Sequence, residues 1–311
     1  MIIFWTIFLL FIIAMLALDL GLFHKDDKEI NTKEALIWTG FWILISLFFS
    51  ILVYFIYESQ QMGHGREMVL EYLTCYTIEK ALSLDNIFVM FAIFNFFKIP
   101  RIYQHRVLFW GILGAIVLRA GFIFAGTALI YRFSWLMYVF GALLLISAIK
   151  MAFQKNDDSQ DISQNLVVKM FKKIFPVTDQ IQGHHFIIKI NEIRHLSPLF
   201  LALLVIEASD ILFALDSIPA IFSISLDPFI IFTSNIMAIL GLRSLYFALA
   251  AMVNQFIYLK HSLIFILAFV GLKMILASIF TISTIHSLLI ILVALLLGVL
   301  FSLFMSTQDT P

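Results

Sequence analysis

The sequence predicts an all-α polytopic membrane protein, with about nine transmembrane helices and an inverted-topology internal repeat. Three observations lead there. The 311 residues are 62% hydrophobic and only 13% charged, with a mean hydropathy of +1.02, far from a soluble globular average. Apolar runs of about 20 residues, enough to cross a bilayer as helices, recur along the whole chain. Two of these runs carry acids in matching positions.

The spans fall near 2–22, 35–57, 68–97, 107–130, 134–153, 198–223, 228–252, 262–281 and 285–305. The first lacks a basic leader and a small-residue cleavage site before Asp19, so it reads as a retained span rather than a signal peptide. Only Ile282 to Thr284 separate the last two, which form a tight hairpin or leave one span re-entrant. One integral membrane domain, 1–311, is expected, with repeats near 68–153 and 198–281 and one sizeable hydrophilic loop, 154–197. That loop opens on a polar stretch that reads as flexible. Its middle, Leu166 to Phe175, has the pattern of an interfacial amphipathic helix. Gly183 to Asn191 reads as a turn and short strand, and His184, His185 and Asp179 read as solvated loop residues rather than metal ligands.

Basic residues orient the chain. Lys25, Lys28 and Lys33; Lys98, Arg101 and Arg106; Lys155, Lys169, Lys172, Lys173, Lys189 and Arg194; and Lys260 all lie in odd-numbered loops. The even loops hold only Arg66 and Arg132. By the positive-inside rule the odd loops and the C-terminus face the cytoplasm, and the N-terminus faces out.

The acids occupy the third and sixth spans. Ile206 to Pro219 reads I-E-A-S-D-I-L-F-A-L-D-S-I-P and places Glu207, Asp210 and Asp216 in an apolar run. A carboxylate at a bilayer centre costs roughly 2.5–3.5 kcal/mol on insertion scales, so three in one span imply a use. Pro219 removes a backbone donor and predicts a broken or kinked helix just after Asp216. The third span repeats the pattern: E-K-A-L-S-L-D-N-I from Glu79 matches D-I-L-F-A-L-D-S-I from Asp210. The following spans match as well, G-A-I-V-L-R-A-G-F around Arg119 against A-I-L-G-L-R-S-L-Y around Arg243. With the orientation above, the copies are inverted, as in many secondary transporters. Residues six apart on a helix point about 120° apart, so Glu79 and Asp85 do not share a face. Either a local break turns both toward one ion, or one acid of each pair faces the centre and the other meets a different partner.

Carboxylates Glu79, Asp85, Glu207, Asp210 and Asp216, with neutral oxygens on Asn86, Ser217 and Asn235, suit a hard divalent cation: Mn²⁺, Mg²⁺ or Ca²⁺. Arg119 and Arg243 are the expected counter-charges, and the other reading is that acids and arginines only form buried ion pairs that fix helix packing. Lys80 pairs with a neighbour or gates, and Lys273 has no assigned role. The single cysteine, Cys75, excludes an intramolecular disulfide and a soft-metal thiolate cluster and reads as a packed small residue. Zero net charge without a basic or acidic tail makes nucleic acid a poor candidate partner, and none is expected. No nucleophile elbow, H-E-x-x-H or phosphate loop is present, so no enzyme is expected.

Three stretches, I-E-K-A-L-S-L-D-N-I-F-V (78–89), I-E-A-S-D-I-L-F-A-L-D-S-I-P-A-I-F (206–222) and D-P-F-I-I-F-T-S-N-I-M-A-I-L-G-L-R-S-L-Y-F (227–247), resemble the TerC family of integral membrane proteins. The resemblance covers roughly Trp38 to Ala268. The family is associated with tellurite resistance, includes bacterial Mn²⁺ exporters and is grouped with LysE-type exporters. It implies that Glu79, Asp85, Glu207, Asp210 and Asp216 are the functional centre. Ala208 and Ser209 stand where a bulkier residue and Thr are expected, which keeps a hydroxyl. The expected function is export of a divalent cation, most simply Mn²⁺, through the bacterial cytoplasmic membrane, with proton exchange as the drive. The alternative is a non-transporting scaffold or metallation factor in metal or tellurite resistance. No permanently bound cofactor is expected, since Mn²⁺ is cargo. The expected partners are that ion, the lipid bilayer, and a second copy or other membrane proteins.

The charge asymmetry makes a topological prediction. Green fluorescent protein fused after Pro311 should fluoresce, whereas alkaline phosphatase at the same point should be inactive and should be active when inserted after Gly63. The reverse pattern would overturn the orientation.

Overall fold

The computed structural model describes residues 2–21, 31–60, 63–153, 173–190, 192–250 and 259–306. Helices dominate: α1 (Ile2–Gly21), α2 (Thr32–Gln60), α3 (Gly65–Phe96), α4 (Arg101–Arg132), α5 (Leu136–Phe153), α6 (Pro198–Phe222), α7 (Pro228–Leu240), α8 (Leu242–Ala250), α9 (Leu259–Ile275) and α10 (Thr284–Ser306). Among the described residues six segments are long and apolar enough to cross a membrane: α2, α4, α5, α6, α7 with α8, and α10. The outer faces of these helices expose Leu44, Phe48, Phe55, Leu289 and Leu296, a surface that only lipid can cover. The chain is therefore an all-α polytopic membrane protein.

The elements start where local chemistry starts them. Pro198 and Pro228 sit in the first turns of α6 and α7, where a missing N–H costs nothing. Asp227 caps α7, its Oδ1 accepting from Phe229 N at 2.8 Å and Ile230 N at 3.2 Å. α7 and α8 together form the central segment, 94% buried over its most apolar window, with α1, α2, α3 and α4 packed against it. Close approach uses small residues. Gly141 on α5 lies against the backbone carbonyl of Gly271 on α9, where an added Cβ would come within 2.9 Å of that oxygen.

Three expectations change. α6 runs through Pro219 without interruption, because a proline four residues from the helix end forfeits one hydrogen bond and packing holds the last turn. The break lies instead in the seventh span, at Gly241, where a Cβ would meet Trp42 at 2.9 Å and the Lys80 ammonium at 3.1 Å. α9 ends at Ile275, short of the expected 281, so residues 276–283 make a looser connection to α10.

In the hydrophilic loop, Gly183 takes a positive φ of 55° and leads into β1 (Ile187–Ile190), as the sequence suggested. A second strand, β2 (Ile193–Leu196), pairs with it antiparallel, Ile187 opposite Leu196, through a turn at Glu192 with φ 67°. That strand was missed because its four residues mix charge and apolar groups without strict alternation. Residues 154–172, with the polar stretch and most of the expected amphipathic helix, lie outside the described residues.

The Gly141–Gly271 approach makes a stability prediction. Gly141→Leu should cost about 1–3 kcal/mol by overpacking and lower the melting temperature in detergent. Gly40→Ala, in the interior of α2 where a Cβ meets nothing within 4 Å, should not lower it.

Candidate functional site

Arg119 on α4 is 1% exposed and gathers the acids of two other helices. Its Nη2 donates to Asp210 Oδ1 at 2.8 Å and its Nε to Asp210 Oδ2 at 3.2 Å, a two-point grip on the α6 carboxylate. Its Nη1 donates to Glu79 Oε1 on α3. Ser217 Oγ and Asn235 Oδ1 each lie 3.4 Å from the same Nη1. Asn235 on α7 closes the ring by donating Nδ2 to Glu79 Oε2 at 2.9 Å. Glu79 and Asp210 hold equivalent places in the two self-similar stretches, so four helices meet at one guanidinium. A planar, permanently charged fork fits this task as a lysine ammonium would not.

The other two acids lie beside this ring. A small cavity of ≈ 20 Å³, space for about one water molecule, is lined by Glu79, Asp85, Asn86, Arg119, Asp216 and Ser217 among its polar residues. Asp216 accepts from Ser147 Oγ on α5 at 2.7 Å. Asp85 lies within electrostatic range of Asp216 and of Lys260 at the start of α9, and Asp216 within range of Lys150 at the end of α5. Of the two arrangements left open by the six-residue spacing, the structure takes the second. α3 and α6 stay helical, Glu79 and Asp210 face the arginine, and Asp85 and Asp216 meet different partners.

α3 and α6 run antiparallel. Residues 79–86 share one cavity with 213–217, and 86–93 share the next with 206–213. Asn86 is buried and lines both. Glu207 points toward α4 and lies so close to Gly114 that a Cβ there would collide with its carboxylate, while its Oε2 has no hydrogen-bond partner. Arg243 is buried in α8 and does not line the acidic cavity. Lys80 has a role the sequence left open: its Nζ donates to the Ala238 carbonyl at 3.1 Å, capping the end of α7 where the helix breaks. Ser147 was not foreseen, since nothing distinguishes one serine in an apolar span. Among the described residues no three His, Cys, Asp or Glu side chains stand ready to hold a metal ion together. The guanidinium occupies the place between Glu79 and Asp210. Chemically, the arrangement is a set of buried oxygen donors closed around an internal cation, the Arg119 guanidinium.

No solved structure matches the chain. Curated relatives do. It is 50% identical over 270 residues to an uncharacterized membrane protein of Myxococcus xanthus, covering 87% of this chain and 82% of that one. A membrane protein of Rickettsia felis is 45% identical over 299 residues, 96% of this chain and 97% of its own length. A Salmonella typhi protein named "Putative membrane-bound redox modulator Alx" is 40% identical over 305 residues, 97% and 92% of the two chains. The model of the integral membrane protein TerC family matches residues 64–310, a stretch that holds every acid of the site, and the chain belongs to that family.

Proposed function

We propose that the protein moves a hard divalent cation, Mn²⁺ in the first instance, outward across the bacterial cytoplasmic membrane, with its N-terminus outside and C-terminus inside. The observation that carries this reading is the convergence of Glu79 and Asp210 on one buried Arg119, beside a cavity that Asp85 and Asp216 also line. An ion-pair cluster kept only for packing needs no free space and no second pair of acids next to it. Here the cavity supplies carboxylate, amide and hydroxyl oxygens without thiolate or imidazole, a donor set for a hard ion.

In this reading Arg119 is the resident counter-cation. With no ion bound it pairs with both Glu79 and Asp210, which would otherwise be buried acids without a cationic partner. An entering divalent ion takes over those oxygens together with Asp85, Asp216, Asn86 and Ser217, and the guanidinium swings away. Protons compete for the same carboxylates, which couples ion release to proton uptake. The antiparallel α3 and α6 supply the two halves that rock about the site.

A second reading takes the relatives' name as its lead: a membrane factor that modulates redox or metal status without turnover. The closed Arg119 ring and the absence of a ready three-ligand cluster among the described residues favour it. With Cys75 as the single cysteine, such a factor cannot work through an intramolecular disulfide.

Mn²⁺ flux into proteoliposomes decides between them. Wild type should show saturable uptake that Asp85→Asn and Asp216→Asn each abolish; no flux from well-folded protein would favour the second reading. Flux indifferent to a pH gradient would remove proton coupling. The resident-cation role has its own test in thermal melting. Arg119→Met should lose about 3–5 kcal/mol of stability by leaving two buried acids unpaired. Added Mn²⁺ should restore part of that loss in the variant, and a melting temperature unmoved by Mn²⁺ would contradict the exchange of one cation for another.

A further inference from the structure

A second polar cluster sits at the end of the bundle away from Lys150 and Lys260. Glu71 lies two turns before Glu79 on α3, about 12 Å along the helix. Asp227 caps α7 nearby; its Oδ1 takes two backbone N–H groups, while its Oδ2 takes no hydrogen bond among the described residues. Ser225 offers a hydroxyl toward Glu71. Lys273 on α9, the cation the sequence left without a role, lies within electrostatic range of Glu71. Its ammonium is nonetheless turned to α10, donating to Ser287 Oγ at 3.0 Å. No direct ion pair joins Glu71 to Lys273 among the described residues.

The independent sign of a ligand is Tyr57 on α2. It is 2% exposed, and its buried hydroxyl lies beside the Asp227 carboxylate without a well-aligned hydrogen bond, within electrostatic range of Glu71. A buried phenol left unpaired next to two carboxylates is costly unless something joins them. A hydroxyl and a half-open carboxylate that meet without a well-aligned bond leave both oxygens able to turn toward a common hard cation.

We propose that Glu71, Asp227, Ser225 and Tyr57 form a second cation-binding station, an oxygen-lined site for a hard divalent ion at the opposite end of the bundle from Lys150 and Lys260. As a staging point for the cargo it rests on the transport reading; as a binding site it stands alone. A path joins the two stations. Glu71, Cys75 and Glu79 recur every four residues and so share one face of α3. Ser234 and Asn235 of α7 line the same interval, Ser234 within reach of Cys75 and Asn235 bonded to Glu79. Lys273 is to this station what Arg119 is to the centre: it balances charge when the ion is absent and gives way when it is present.

The test is equilibrium Mn²⁺ binding to the full-length protein in detergent, read from the loss of the free-ion electron paramagnetic resonance signal. Wild type should bind a second equivalent that Glu71→Gln removes. Tyr57→Phe, a change too small to disturb folding, should weaken that equivalent roughly tenfold, the cost of one hydrogen bond to a charged group. A Glu79→Gln, Asp210→Asn double variant should keep the equivalent. Binding in Glu71→Gln and Tyr57→Phe indistinguishable from wild type would overturn the station, as would loss of all binding in the central double variant. Flux measured on the same preparations separates the two ideas. An intact outer equivalent with no flux defeats the transport reading alone, and normal flux without any outer equivalent defeats the station alone.

Discussion

The contact on which the structure depends is the bond from Arg119 to Glu79 and Asp210. Three charges sit where a bilayer offers no water, so each must find its partner inside the protein. The guanidinium satisfies two carboxylates from two helices, and Asn235 supplies a donor and an acceptor from a third. Such clusters contribute little net stability compared with a well-packed apolar core, but breaking one is expensive. What the cluster provides is registry. α3, α4, α6 and α7 can slide or rotate against one another only by uncovering a charge.

That constraint explains the unusual seventh span. α7 is buried on every side, so it cannot present a lipid face and has to bring its own polar groups to the centre. It does so at Asn235 and then breaks at Gly241, where only a hydrogen fits beside Trp42. The carbonyl freed at Ala238 is taken by Lys80, one residue after Glu79 on α3. Neighbouring residues of α3 therefore hold the charged centre and the helix break, which ties any movement of the break to the state of the centre. A proline in α6 does not create such a hinge, because Pro219 lies in the final turn, where few hydrogen bonds remain to be lost.

The polar residues of the bundle are arranged along α3. Glu71, Cys75, Glu79 and Asn86 follow one another on a single face, and the remaining acids and hydroxyls come from helices that pack on it. Lysines flank this column near each end: Lys150 and Lys260 near the Asp85 and Asp216 cavity, and Lys273 near Glu71.

Much of this was legible in the sequence. Span positions follow from the length of apolar runs, because a bilayer has one thickness and a helix one rise per residue. The acids stood out because ionisable groups are rare in lipid, and their spacing in the sequence matches Glu79 with Asp210 and Asp85 with Asp216. The family also followed from those motifs, and the match over residues 64–310 agrees with it. Tertiary structure alone decided who pairs with whom. Nothing in the pattern says that Arg119 rather than Arg243 takes both central acids, that Ser147 holds Asp216, or that the break falls at Gly241 instead of Pro219. Hydrophobicity is a property of each residue and can be read one segment at a time. Charge pairing and close packing are properties of pairs, set by which helix faces meet, and only the folded bundle brings those faces together.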